Sequence, residues 1–266
     1  MTAPSVKSIS SRDNPLLVRL RKLGRDPVAY RKQGELWIEG DHLCRAFLQR
    51  GGVPLQALIS EAAWASPLRE LAMAAPAVSV LPAALMTGVS TLESPAPIGF
   101  VVPWVGVVDL LPDAPTVVLD RLQDAGNVGT VLRSAAAFGF TQVITLKGTA
   151  GLWSPKVLRA GMGAHFGLSL IEGIEVVALG ALTVPLLATS SHASQTIDQV
   201  TLPWPCAWVL GHEGEGVSAA LQARCSLSLR IPQPGGEESL NVGAAAAVCL
   251  YESARQRCRA AGSGQD

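Results

Sequence analysis

Three short stretches hold side chains that can do chemistry. In the first, residues 119–140 (LDRLQDAGNVGTVLRSAAAFGF), Arg133 is the only charged side chain between Asn127 and Phe140. Arginine is almost never fully buried without a partner. A guanidinium set among Gly, Ala, Val, Leu, Ser and Thr therefore meets either a core-edge carboxylate or a ligand. On a helix starting at Val128, its neighbours three and four positions away are Gly129, Thr130, Ala136 and Ala137. All four are small, which leaves the arginine in a shallow groove with room for an anion or a developing negative charge. Asn127 falls where that helix begins and suits its N-cap, while Gly126 and Gly129 permit close backbone approach.

The second stretch, LGHEGEGVS (210–218), surrounds Glu213 and Glu215 with glycines directly after an apolar run. Such a loop bends sharply and turns its amides toward a ligand. Glu215 favours the N-terminus of the next helix, and Glu213 is free to pair with Arg133. His212-Glu213 lacks the second histidine of H-E-x-x-H, so no zinc protease is indicated. The third stretch, RIPQPGGEESLNVGAAAAVCLYE (230–252), runs from a proline- and glycine-rich loop through Ser239 and Asn241 into small residues. Either polar residue suits a helix cap. The run 243–247 suits a tight subunit interface or a chain passing through a loop.

These stretches need a scaffold that brings them together, and the apolar pattern supplies one. Strands are expected at 35–40, 55–60, 77–82 and 97–105, with helices over 41–52 and near 61–74. After a proline-rich linker at 108–114, strands are expected at 116–120, 142–146, 184–190, 206–211 and 227–232. Helices are expected over 128–138, 154–166, 217–224 and 241–258, and the closing AAGSGQD is expected to fray. Strands alternating with helices mean α/β layering. In open parallel sheets, ligands sit at the carboxyl ends of strands, where loops 120–130, 211–217 and 232–241 all fall. The division expected is a first domain over 1–107, the linker, and a second domain over 115–266.

Composition narrows the function further. Hydrophobic residues make up 48% of the 266 and charged residues 16%, enough apolar material for a packed core and too much for a disordered chain. No apolar run reaches the ~18 residues of a membrane span. The opening MTAPSVKSISSRDNP lacks an apolar leader, so a cytoplasmic protein is expected. Five scattered cysteines without a C-x-x-C pair indicate neither a disulfide framework nor a metal site. Net charge is zero, yet residues 1–32 hold eight Lys and Arg against two Asp. That imbalance suits a polyanion. Leu16, Leu17, Leu20 and Leu23 put an apolar stripe on the same segment, so a docked helix with a basic outer face is expected.

Taken together, the motifs resemble those of the SpoU branch of the SPOUT-class RNA ribose 2′-O-methyltransferases. The family's N-x-G-x-x-x-R followed by Phe-Gly matches Asn127, Gly129, Arg133 and Phe138-Gly139. Its glycine-rich loop with one key glutamate matches Gly211 to Gly216 around Glu213. Its I-P-x-x-G-x-x-x-S-L-N-V matches Ile231-Pro232, Gly235 and Ser239-Leu240-Asn241-Val242. SSRDNPLLVRLRKL, LWIEGDHL and LESPAPIGFVV look like the family's auxiliary RNA-binding domain. Gln233-Pro234, Gly243 and Gly161 depart from its usual residues.

The resemblance implies a Rossmann-like parallel sheet with a deep trefoil knot, preceded by a smaller α/β RNA-binding domain. It implies a homodimer that methylates RNA, ribosomal RNA ahead of transfer RNA, with S-adenosylmethionine as cofactor and no metal. By the same resemblance, Asn127, Arg133, Glu213, Ser239 and Asn241 are catalytic residues. Leu210, Gly211, Gly216, Ile231, Pro232 and Leu240 are the cofactor contacts. The family's proposed base is the arginine. Deprotonating a guanidinium near neutral pH costs about 8 kcal/mol. A charged arginine that grips phosphate and stabilises the forming alkoxide is the less costly role. A nicotinamide enzyme is disfavoured because G-x-G-x-x-G is absent and Lys147 stands near the position of the acidic ribose ligand. A non-catalytic RNA-binding protein of the same fold is disfavoured because Asn127, Arg133, Glu213 and Asn241 are all present.

Overall fold

A computed structural model describes residues 3–236 and 239–262, so part of the third loop and the last four residues of the expected frayed tail lie outside it. The chain forms two compact units, one of residues 1–106 with 153–166 and one of residues 107–152 with 167–266.

The first unit opens with β1 (Ser5–Ser8) and α1 (Pro15–Arg25). Asn14 caps α1 by accepting from the amide of Leu16 at 3.0 Å, and Pro15 fills a first-turn position where its missing N–H is harmless. The expected stripe holds: Leu17, Leu20 and Leu23 are buried, and Lys22 and Arg25 stand in the last turn. There follow α2 (Ala29–Gln33), β2 (Glu35–Glu39), α3 (Asp41–Gln49) and β3 (Gln56–Ser60). The helix expected over 61–74 is split into α4 (Glu61–Trp64) and α5 (Leu68–Ala72), because Pro67 interrupts it. Then come β4 (Ala77–Leu81), α6 (Ala83–Val89) and β5 (Ile98–Pro103). The sheet order is β1-β4-β3-β5-β2, parallel among the first three strands and antiparallel at β5.

The second unit begins with β6 (Thr116–Leu119), α7 (Ala125–Ala137) and β7 (Gln142–Leu146). The proline-rich segment before β6 is tied to this unit: the Gln142 amide group bonds both backbone groups of Leu111, and the amide of Thr183 donates to Pro112. Next, α8 (Pro155–Gly161) returns to the first unit, where Leu158 joins the core and Trp153 and Phe166 pack on it. The single helix expected over 154–166 stops at Met162, whose φ is 48°, and Gly163, whose φ is 88°. Gly161 has a local cause: a Cβ there would overlap the buried ring of His165.

The chain then adds β8 (Ser169–Ile174), β9 (Leu186–Thr189), β10 (Gln195–Thr196), β11 (Ala207–Leu210), α9 (Ala219–Gln222), β12 (Leu227–Arg230) and α10 (Val242–Gly262). The seven strands run parallel in the order β10-β12-β9-β11-β6-β7-β8. The fold is thus α/β with a parallel sheet. Covered faces explain why β6, β7 and β11 are buried along their whole length. The strand order reverses between β6 and β11, a switch point of the kind where open parallel sheets take ligands. α10 lies along α7: Gly243 abuts Thr130, where an added Cβ would come within 3.1 Å, and Phe138 meets Tyr251 edge-to-face at 5.7 Å. The small residues after Asn241 therefore serve close helix packing. Among the described residues, no helix is long and apolar enough to cross a membrane.

Candidate active site

The site is built from the loops that follow β6, β11 and β12. After β6, the chain turns into α7 earlier than its sequence suggests. Asp124, not Asn127, is the N-cap: its carboxylate accepts from the amide of Asn127 at 2.8 Å. Asn127 therefore lies within the first turn, its own amide satisfied, and its side chain is free for other partners. Val128, Val131, Leu132 and Ala135 fix the helix by packing inward. Each of the larger three contributes about 1.5–3 kcal/mol of burial as an upper estimate.

The loop after β11 closes on itself. The amide of His212 donates to Gly216 at 3.0 Å and that of Gly216 to His212 at 2.9 Å. The Nδ1 of His212 accepts from the amides of Gly214 and Glu215 at 3.1 and 3.2 Å. Gly211 is required by this closure, since a Cβ there would overlap the Gly216–Val217 peptide. The close approach expected at Gly211 is thus made by the loop's own backbone. After β12, Asn241 caps α10 by accepting from the amides of Gly243 and Ala244 at 2.9 and 3.2 Å.

Asn127 joins the three loops. Its Nδ2 donates to Glu213 Oε1 at 3.2 Å, and its Oδ1 accepts from Asn241 Nδ2 at 2.9 Å. Glu213 also accepts from the amides of Asp124 at 3.2 Å and Gln123 at 3.4 Å. The residue is exposed, and the slight desolvation of its carboxyl works to raise its pKa. Hydrogen bonds from its own amide, from Asn127 and from the amides of Asp124 and Gln123 outweigh that and hold the carboxyl below its ordinary value. The pairing of Glu213 with Arg133 suggested by the sequence does not form, because donors from 123–127 occupy both carboxylate oxygens. Arg133 is exposed on α7 and makes no hydrogen bond or ion pair among the described residues.

Beside this junction lies a cleft of about 740 Å³ at the carboxyl ends of β9, β11 and β12. Gly211, Glu213, Gly216, Ile231, Ser239, Leu240 and Asn241 line it, as do Thr189–His192 and Gln233. Leu210 is fully buried in β11 and Pro232 is exposed; neither side chain lines the cleft. Three features were not anticipated from sequence: the wall at Thr189–His192, the cap Asp124, and Asp120, which is 2% exposed and accepts from the amide of Ser218 at 2.7 Å. A lone Asp at the end of an apolar strand was the available signal for the last.

A model of the SpoU rRNA methylase family matches residues 114–251, the span that holds all three loops. The chain belongs to this family. It is 33% identical, over 97% of either chain, to a Synechocystis sp. protein described as an uncharacterized tRNA/rRNA methyltransferase. It is 36% identical to a 23S rRNA (guanosine-2′-O-)-methyltransferase of Nitrosomonas europaea over 151 residues, 55% of this chain and 58% of that one. Among solved structures, an RNA 2′-O ribose methyltransferase superposes with a TM-score of 0.79 at 31% identity, covering 95% of this chain and 100% of that one. In this SpoU chain, the family match lies over the second unit apart from α8, and the full-length relatives extend it to the first.

Proposed function

We propose that this protein transfers the methyl group of S-adenosylmethionine to a ribose 2′-hydroxyl of structured ribosomal RNA in the cytoplasm. The observation that carries the reading is the Glu213–Asn127–Asn241 hydrogen-bond chain, which ties the three motif loops together at the rim of one cleft. The cleft suits the cofactor chemically. Leu229, Ile231 and Leu240 offer apolar surface for a base. Gly211, Gly214 and Gly216 put no side chain over the cleft, and Gln233 Oε1 is a buried acceptor with no partner among the described residues.

Gly211, Gly216, Ile231 and Leu240 would hold the cofactor, with Leu210 setting the start of the loop and Pro232 its turn after β12. Bound there, the cofactor supplies a methyl group already activated on a sulfonium, so positioning is the protein's main contribution. Asn127 and Glu213 orient the ribose, and Ser239 and Asn241 fix the third loop. Arg133, charged and without a partner among the described residues, is available to a phosphate and to the alkoxide that forms as the hydroxyl loses its proton. The 2′-proton passes to phosphate or water, because the guanidinium is too weak a base to take it.

The first unit recruits the RNA through exposed Arg12, Lys22, Arg25 and Lys32 on and around α1. The second unit dimerises through the outer side of α10, where Val248 is 39% and Tyr251 53% exposed. The C-terminal chain threads a knot, a reading supported by its return from β12 to lie against α7 and β11. The test is calorimetry with S-adenosylhomocysteine together with tritium transfer from labelled cofactor to ribosomal RNA. Absence of both binding and transfer overturns the reading.

A further inference from the structure

Arg121 combines three observations that the reaction scheme above leaves unused. Its φ is 61°, the left-handed region that a side chain other than glycine, Asn or Asp rarely adopts. Such outliers persist only where their surroundings over-determine them. Here the amide of Arg121 donates to Thr149 Oγ1 at 3.0 Å, and that hydroxyl donates to the carbonyl of Leu119 at 3.1 Å. The side chain then reaches two carboxylates: Nε donates to Asp120 Oδ1 at 3.1 Å and Nη1 to Glu215 Oε2 at 2.6 Å.

We propose that Arg121 is a positioning residue that latches the glycine-rich loop 211–217 to the segment after β6 and thereby sets where Glu213 stands. The inference rests on the methyl-transfer reading for its consequence, though not for the latch itself. Glu213 and Glu215 flank Gly214 at the tip of the loop, and both are held by residues 121–127. Glu213 is held by bonds of 3.2–3.4 Å and Glu215 by the shorter one from Arg121. The latch is anchored on both sides of the loop. Asp120, with a side chain 3% exposed, fixes the guanidinium through one oxygen and the amide of Ser218, just past the loop, through the other. A lone surface pair stabilises little, but a network with a buried, oriented member is the exception. The hydrogen bond from Arg121, and then its charge, also hold the Glu215 carboxyl below its ordinary value.

The experiment compares the full-length protein with Glu215→Gln, Arg121→Ala, the double variant and Arg121→Lys. Amide hydrogen exchange over 211–218 in the free protein reads the latch, and the affinity for S-adenosylhomocysteine reads its consequence. Either single loss should speed exchange about fivefold and weaken the ligand by a similar factor, as expected of a modest charge network. The double variant should be no worse than Arg121→Ala alone, because both singles remove the same Arg121–Glu215 interaction and Arg121→Ala also loses the bond to Asp120. Arg121→Lys should recover most of the effect. Glu215→Gln lies on an exposed loop tip, so it serves even if Arg121→Ala folds poorly. Unchanged exchange in Glu215→Gln, or additive effects in the double variant, would overturn the latch. Faster exchange with unchanged ligand affinity would overturn its positioning role. Faster exchange in a protein that binds no S-adenosylhomocysteine in any form would leave the latch standing and refute the methyl-transfer reading instead.

Discussion

Replacing Asn127 with alanine removes two side-chain hydrogen bonds and little else. The backbone amide of residue 127 remains, so the Asp124 carboxylate still caps α7. What disappears is the bond to Glu213 at 3.2 Å and the bond from Asn241 at 2.9 Å, the links between all three motif loops. A neutral bond contributes about 1 kcal/mol and one to a charged group roughly 1.5–3 kcal/mol. The length and partial exposure of the Glu213 bond place it at the lower end, so the pair together is set at about 2 kcal/mol. If that energy holds the loops in the reactive arrangement, turnover should fall about thirtyfold. The melting temperature should fall by no more than about 6 °C. Single-turnover methyl transfer at saturating cofactor and RNA measures the first, and a thermal melt the second. Asn127→Asp should be worse than alanine, since it sets a second carboxylate against Glu213. Turnover within twofold of wild type in the folded alanine variant would show that the Asn127 bonds do not set the reactive arrangement.

Other expectations follow from the same geometry. Arg133→Ala should abolish transfer while leaving S-adenosylhomocysteine affinity within about twofold, since the side chain has no partner to lose among the described residues. Arg133→Lys should also fail, because a point charge does not reproduce the planar fork. Gly211→Ala should weaken that ligand at least tenfold, an order-of-magnitude cost of forcing a Cβ into the Gly216–Val217 peptide; unchanged calorimetric affinity would show that the loop closure is not needed. Because the Glu213 carboxyl is held below its ordinary value, whatever it contributes is present above the unfolded value and lost only as pH falls through the depressed one. The rate profile should therefore show no limb between about pH 5 and 7 that disappears in Glu213→Gln. A chain starting near Ala114 should aggregate, because Leu158 belongs to the first unit's core and Trp153 and Phe166 pack on it; a monodisperse folded species in light scattering would contradict this.

The elements that position the site were legible where burial is complete. The apolar runs at Val117–Leu119, Val143–Leu146 and Trp208–Leu210 read as strands because both faces of the parallel sheet are covered. β8 was not legible: it ends one edge of the sheet, four of its six residues are partly exposed, and Gly173 sits at φ 67° within it. β1 is exposed along its whole length and so carries no alternation to read. The start of α7 was misplaced because Asp124 and Asn127 are both good caps, and only the structure shows which one the chain uses. That choice matters to function, since it frees the Asn127 side chain to join Glu213 and Asn241. The role of Arg121 was invisible because it depends on a left-handed backbone that nothing in the residue type announces.

If the three loops joined at Asn127 transfer a methyl group to a ribose oxygen, the product has a chemical signature. A methylated 2′-oxygen cannot attack its neighbouring phosphodiester, so the bond survives alkali that cleaves every unmodified linkage. The most direct measurement incubates the protein with tritiated S-adenosylmethionine and ribosomal RNA from cells lacking it, then hydrolyses the RNA in alkali. Tritium should appear in alkali-resistant dinucleotides with the wild-type protein and not with Arg133→Ala. Tritium recovered only in mononucleotides would place the methyl on a base, and equal labelling by Arg133→Ala would remove the arginine from the reaction; either result contradicts the account.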